Sequence, residues 1–401
     1  MYSRGIVCIS ALIALNITAC AVWMFSPSAQ IKPEPQRLQA FGARVGQLPG
    51  SAGTWVVFSR DGKRILTGGD HEVCVWDTAT LRPLTKPLRH PGPIVLLTDA
   101  QISDDGRNVV TAGYDNTARI WVAQTGKALA VLRHQGYVLS ARFGRGGERV
   151  VTGGGDGRAK VWDSQTGRQL LSLSLRGTVR YAVFSPDGSM ILTISDRPVE
   201  NGDPPWSGMQ EACLWDAATG RKLRRHNVIE SGRRQPAAFS PDGTKVATAL
   251  EKFVVVWDTR TGKDLFSVDA WVLSGPTDTV AFGPRGSRLL TGAGAGARLF
   301  NVATGGLVAR LDAGGDATQA IFNSDGGRVL LAAAGGRVAL CDAAGGKRLG
   351  YMRLPKRPLA EELPRADIPA IAFSPDGTEI LIGDPVTDST TVWRLTNAPQ
   401  K

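Results

Sequence analysis

Four histidines, at 71, 90, 134 and 226, and five cysteines, at 8, 20, 74, 213 and 341, are the side chains of this 401-residue sequence best suited to acid–base, nucleophilic or metal chemistry. Metal cages need ligands that return at short fixed spacings, and none of these residues has such a neighbour. No nucleophile stands beside a base in a known pattern, and no glycine loop of the phosphate-cradling kind leads into a helix pattern. The glycines from Gly153 to Gly157 read as a hairpin turn, where positive-φ positions account for them without a ligand. The expectation is a chain with no catalytic residue, no metal and no cofactor.

Residues with so little chemistry of their own are best read through the elements that carry them, and those elements repeat. A large apolar residue ends a short alternating segment at Phe58, Ile102, Phe143, Phe184, Phe239, Phe282, Phe322 and Phe373. A turn follows each, most plainly Ser185-Pro186-Asp187-Gly188, and again at Ser240 to Gly243 and Ser374 to Gly377. Proline sets φ at the second position, aspartate bonds its own backbone, and glycine takes the conformation that folds the chain back as a hairpin. A second strand, a tight turn and a third strand come next. The third strand carries Trp76, Trp121, Trp162, Trp215, Trp257, Phe300, Cys341 and Trp393, each preceded by Val, Ile or Leu. Cys74, Cys213 and Cys341 fall on this strand, where a small soft hydrophobe packs well, so a structural role is expected of them. Asp77, Asp163, Asp216 and Asp258 follow the aromatic, and Thr-Gly pairs close the next turn ahead of a fourth strand.

Four short antiparallel strands returning about every 40 to 45 residues are similar to the blades of a WD40-repeat propeller, and the residues just named resemble that family from 37 to 396. The expected fold is therefore all-β, an eight-bladed WD40-type β-propeller, with seven blades, the family's commoner number, as the alternative. Too few residues follow Trp393 for a fourth strand. Arg37 to Phe41, with Leu38 and Phe41 spaced like the fourth strands elsewhere, is expected to complete the last blade and hide its edge. The resemblance also implies a polar tetrad in blade 3, a chain of side-chain hydrogen bonds through His134, Thr152, Asp156 and Trp162. His90, Thr111, Asp115 and Trp121 hold the corresponding places in blade 2, although extra residues around Pro91 to Pro93 disturb the position of His90. Blades 4 to 8 lack the histidine, and stability there is expected from apolar packing alone.

Ahead of the repeats, Gly5 to Phe25 form a run of 21 residues without a charge, long enough to cross a bilayer as a helix. Three readings stand. One is an uncleaved signal-anchor with Trp23 near an interface; another is a lipoprotein signal, in which Ile17-Thr18-Ala19-Cys20 resembles a lipobox and Cys20 is the lipidation site; the third is a cleaved secretory peptide. The expected organisation is 1–25 as one N-terminal transmembrane or signal helix, 26–36 as a Pro-rich linker and 37–401 as the propeller. A single-pass membrane anchor with the propeller outside the cytoplasm is the expected localisation, lipoprotein and secreted protein being the alternatives. The net charge of +11 is spread along the chain with no Lys/Arg block interleaved with aromatics, which argues against nucleic acid as a partner.

Loops on a rigid scaffold carry function, so departures from the repeat point to the partner site. Phe184 and Trp215 are 31 residues apart, against 18 to 20 for the same columns elsewhere, which marks an insertion at Asp196 to Glu211 containing Trp206. Arg224, Arg225, Arg233 and Arg234 join blades 4 and 5, and a long connection before blade 8 holds Arg353 and Arg357. The expected partner surface has Trp206 as anchor and these arginines meeting acidic groups of a protein. The functional reading is a non-catalytic, membrane-tethered scaffold or adaptor for protein partners. Its competitors are a self-associating envelope structural protein and a propeller enzyme. The quinoprotein class shares the Asp-x-x-Thr-Gly element, but its tryptophan a few residues on is missing after Gly126, Gly167 and Gly262.

Overall fold

The computed structural model describes residues 42–395 apart from 50–54, 93–94, 197–208, 230–236, 250–252, 270–278, 294–295, 316, 355–368 and 385–386. All of these belong to one compact unit, Gln39–Lys401. Within it the chain forms eight antiparallel sheets in succession, seven of four strands and one of three. Blade 3 shows the pattern: Val138–Phe143, Arg149–Gly154, Arg158–Asp163 and Gln169–Ser174, paired in sequence order. Its second and third strands are buried on both faces, as their Val-rich sequences require, while the fourth alternates between core and water. The aspartate of the first turn does what its chemistry promised. In blade 4, Asp187 Oδ1 accepts from Ser185 Oγ at 2.5 Å and from the Ser189 N–H at 3.1 Å, with Gly188 at φ 74°.

A flat sheet cannot sit as a sector of a ring, and one recurring irregularity provides the twist. The register slips by one residue between the third and fourth strands, beside Trp121, Trp162, Trp215, Trp257, Phe300 and Cys341. Such bulges bend the strand and strengthen its local twist. Blade 1 departs further. Beyond Trp55–Phe58, Arg64–Gly68 and Val73–Asp77, its fourth strand is reduced to two bridges, Val73 with Leu88 and Trp76 with Pro83. Pro83 and Pro87 have no N–H to give a ladder.

The core is not one mass but eight apolar layers, each between two successive blades. Seven link neighbours in sequence. The eighth joins Ala370, Ala372 and Leu381 of blade 8 to Val56, Phe58 and Ile65 of blade 1, so the ring is closed and has eight blades. The innermost edge is satisfied across blades by side chains. Asp99 accepts from the Ala141 N–H at 3.0 Å and Arg142 Nη1 at 2.6 Å, Gln101 from the Phe143 N–H at 2.7 Å, and Gln319 from the Ile371 N–H at 3.1 Å. These bonds occupy N–H groups that an open edge would leave to water.

Closure does borrow a strand from the N-terminal side, but not the expected one. Gly42–Pro49 pairs with Ser389–Leu395 as the outer strand of blade 8, whereas Arg37 to Phe41 lie outside the described residues. Leu48 is the residue of this strand that enters the core, and the ladder carries a bulge between Arg44 and Gly46. Leu81 of blade 1 packs over that bulge. It stands where blades 2 to 7 have their left-handed glycine and keeps φ at 54°, a conformation that costs a leucine about 1–2 kcal/mol. Its side chain joins the blade 8–blade 1 layer and covers Gly46, where a methyl group would collide with it.

The insertion in blade 4 is shorter as a loop than its sequence suggests. Met190–Asp196 and Met209–Asp216 stay paired out to Asp196 and Gln210, so the ladder absorbs both ends of it. Among the described residues no helix is long and apolar enough to cross a membrane. Gly5 to Phe25, Cys20 and the Pro-rich linker lie outside the described residues.

Candidate partner-binding site

One end of the blades is held by a repeated polar device. Trp162 Nε1 donates to Thr152 Oγ1 at 2.8 Å, Thr152 Oγ1 lies 2.7 Å from His134 Nε2, and His134 Nδ1 lies 2.9 Å from Asp156 Oδ1. The carboxylate fixes the tautomer: Nδ1–H donates to Asp156, so Nε2 accepts the threonine hydroxyl. Blade 2 repeats it. His90 Nε2 is 2.8 Å from Thr111 Oγ1, Trp121 Nε1 donates to the same oxygen at 2.9 Å, and His90 Nδ1 meets Asp115 at 3.0 Å. The extra residues around Pro91 to Pro93 leave His90 in its place.

Burial pushes both histidines below their usual value despite the neighbouring carboxylates, so they are neutral imidazoles in the fold. Burial alone would raise the Asp156 carboxyl; bonds from His134 and the Gln135 N–H, with the charge of Lys160, carry it below the ordinary range instead. Cys74, Cys213 and Cys341 are free and buried, and burial lifts their thiols to about 11, so they are packing residues. Among the described residues no cluster of His, Cys, Asp and Glu suits a metal ion.

Outside blades 2 and 3 the polar wiring takes forms that the repeat did not announce. Trp76 and Trp215 keep the bond to threonine, at Thr67 and Thr193. Trp393 turns to Thr391 on its own strand, since the corresponding place on the second strand holds Ile382. In blade 4 a carboxylate, Glu211, is buried and bridged to Arg225 Nε at 2.8 Å, so packing there is not purely apolar. In blade 5, Trp257 Nε1 and Thr248 Oγ1 are both buried without a hydrogen-bond partner among the described residues. The indole stacks instead on His226 of blade 4, with centroids 5.3 Å apart and planes 5° from parallel, and His226 Nε2 reaches Asp264 at 2.7 Å.

Two of the expected arginines have contacts within the fold. Arg225 is held by Glu211, and Arg224 donates to the carbonyls of Leu223 and Arg260, pinning blade 4 to the turn of blade 5. Arg353 ends the fourth strand of blade 7 and is exposed. Trp206, Arg233, Arg234 and Arg357 lie outside the described residues.

Sequence reasoning passed over a different feature on the same end. Leu96 and Tyr137 each precede the first strand of a blade, and their carbonyls accept from the Tyr114 N–H at 3.0 Å and the Gly155 N–H at 2.7 Å. Tyr114 is 53% exposed, Leu96 43% and Tyr137 37%, and the two tyrosine rings meet with centroids 5.4 Å apart. The signal was present in the sequence as two aromatics in turn positions where the repeat elsewhere has Gly155 and Thr178.

A family model described as WD domain, G-beta repeat matches residues 42–77, 83–122 and 126–163. No curated protein matches the chain. Among solved structures, the C-terminal WD40 domain of Sif2 is similar with a TM-score of 0.69 at 14% identity, over 89% of this chain and 99% of that one. The computationally designed Ika8 protein is similar with a TM-score of 0.65 at 22% identity, over 87% of this chain and 100% of that one. At these identities the likeness is one of fold.

Proposed function

This chain belongs to the WD40-repeat β-propeller family, and from that premise we propose that it is a non-catalytic scaffold whose rigid blades present loops to protein partners. WD40 domains generally bind proteins and usually catalyse nothing. The observation that carries the reading for this chain is how the two tetrad histidines are used. A general base needs a lone pair or proton left over for a substrate. His90 and His134 commit both ring nitrogens to threonine and aspartate.

The charge-free run Gly5 to Phe25 supports a tether, with the propeller outside the cytoplasm and Cys20 as the lipidated residue where the leader is processed. Trp206, Arg224, Arg225, Arg233, Arg234, Arg353 and Arg357 extend the surface offered to an acidic partner. Crosslinking of the full chain in intact cells, followed by membrane fractionation, tests both parts. A reproducible set of crosslinked proteins in the membrane fraction is expected. Recovery of the chain uncrosslinked removes the scaffold reading, and recovery in the soluble cytoplasmic fraction removes the tether.

A further inference from the structure

We propose that Leu96, Tyr114 and Tyr137, in a row across blades 2 and 3, form the docking surface for an acidic, extended segment of a partner protein that lays an apolar side chain on the tyrosine pair. The proposal rests on the scaffold reading and names the partner's chemistry. Neither tyrosine is needed for the blade. Thr178 fills the place of Tyr137 in blade 4, and Gly155 that of Tyr114 in blade 3. Both rings are nevertheless held. Tyr137 lies flat on the backbone at Gly155, where a Cβ would come within 2.8–2.9 Å of three ring atoms, and Tyr114 leans on Tyr137 at 41°. Aromatic surface that is exposed and yet rigid loses little entropy when it is covered, which is what a binding hot spot requires.

Charge selects the occupant. The carboxylates next to the row are matched by cations of the fold itself: Asp115 Oδ2 lies 4.0 Å from Arg119 Nε, and Asp156 Oδ2 3.8 Å from Lys160 Nζ. Two further exposed arginines stand close to it along the chain, four residues before Tyr137 and three after Gly155. Arg133 ends the fourth strand of blade 2 and makes no ion pair among the described residues; Arg158 opens the third strand of blade 3, and its guanidinium donates to the hydroxyls of Ser172 and Ser174. Asp70, an exposed carboxylate beside Leu96, gives the row a polarity, so acidic groups of the guest are drawn to the Tyr137 end.

The test is fluorescence anisotropy with the full chain. The probes are a short labelled peptide with a Leu-Pro-Leu centre and acidic flanks, the same centre with lysine flanks, and anionic phosphatidylglycerol vesicles. The acidic peptide is expected to bind best, and to lose about tenfold in affinity with Tyr114→Ser plus Tyr137→Ser, and likewise with Arg133→Glu, at an unchanged melting temperature. Equal binding by the unaltered chain and the tyrosine variant overturns the proposal. So does a preference for the lysine peptide, vesicle binding that the tyrosine variant abolishes, or no measurable binding of the acidic peptide. In the crosslinking experiment, partners that persist with the tyrosine variant sink the docking row alone, whereas a wild-type chain without partners sinks the scaffold reading.

Discussion

Thr152 and Thr248 occupy the same place on the second strands of blades 3 and 5, both 0% exposed, yet changing each to valine should have opposite results. Thr152 Oγ1 is the hub of its tetrad. Without it, Trp162 Nε1 and His134 Nε2 are left buried and unpaired. Stranding one such group costs about 1–3 kcal/mol, and two that share a partner should cost about 2–4 kcal/mol together. Among the described residues Thr248 Oγ1 has no partner, and neither has Trp257 Nε1, whose ring stacks on His226. Valine there removes an unsatisfied hydroxyl at nearly constant volume, so Thr248→Val should be neutral or stabilise by up to about 1 kcal/mol. A ring of repeats need not unfold in one step, so the comparison calls for apparent urea midpoints together with hydrogen exchange in the blade concerned. Equal losses at the two sites, or a larger one at Thr248, would refute the claim that hydrogen-bond saturation, and not burial, sets the value of this threonine.

Acidification should act in two stages. His90 and His134 are held below 6.5 in the fold, so their contribution is complete above that value and declines as pH falls through it toward their folded values. Asp115 and Asp156, held below 3.8, lose theirs only beneath it. A melting temperature that is flat between pH 7 and 5, or a His90→Gln, His134→Gln variant that keeps the upper step, contradicts this. Gly46→Ala should cost about 1–2 kcal/mol by driving a methyl into Leu81, and only a few tenths in a Leu81→Ala background; additivity in that cycle would dismiss Leu81 as the lock on the closing strand. Arg225→Ala strands the buried Glu211 carboxylate and should cost about 3 kcal/mol, well above Arg224→Ala, whose partners are exposed carbonyls. Comparable midpoints for these two variants would dismiss the Arg225–Glu211 pair as a structural contact.

The blades were legible because their instructions are local. Ser-Pro-Asp-Gly closes its own hairpin, and Asp163 accepts from the N–H and hydroxyl of Thr166 three residues on, so each turn can be read in a short window. The closing strand could not be read in this way. Its partner is Ser389–Leu395, far along the chain, and the spacing of Leu38 and Phe41 imitated a fourth strand while the buried contact belongs to Leu48. The same limit applies to Arg224 and Arg225. As a sequence they form a basic cluster; in space one answers a carboxylate on the neighbouring strand and the other a carbonyl of the next blade. His226 showed no motif because its partners, Trp257 and Asp264, sit on another blade.

Why two blades keep complete tetrads is a question of position, since the ring closes without them elsewhere. Blades 6 and 7 lack both the histidine and the aspartate, yet Leu290, Val329 and Leu331 of the layer between them are fully buried. Apolar layers are therefore sufficient to hold neighbouring blades together. What a tetrad adds is a fixed height and orientation for the loops above it. In blade 3, His134 is three residues from Tyr137, and Asp156 follows the Gly155 on which the Tyr137 ring lies; in blade 2, Asp115 follows Tyr114 directly. A displaced His134 would release the segment that carries Tyr137, and a displaced Asp115 the turn that carries Tyr114. The two most heavily wired blades thus support a row of exposed, stacked aromatic surface, which is where rigidity has a use that packing alone does not supply.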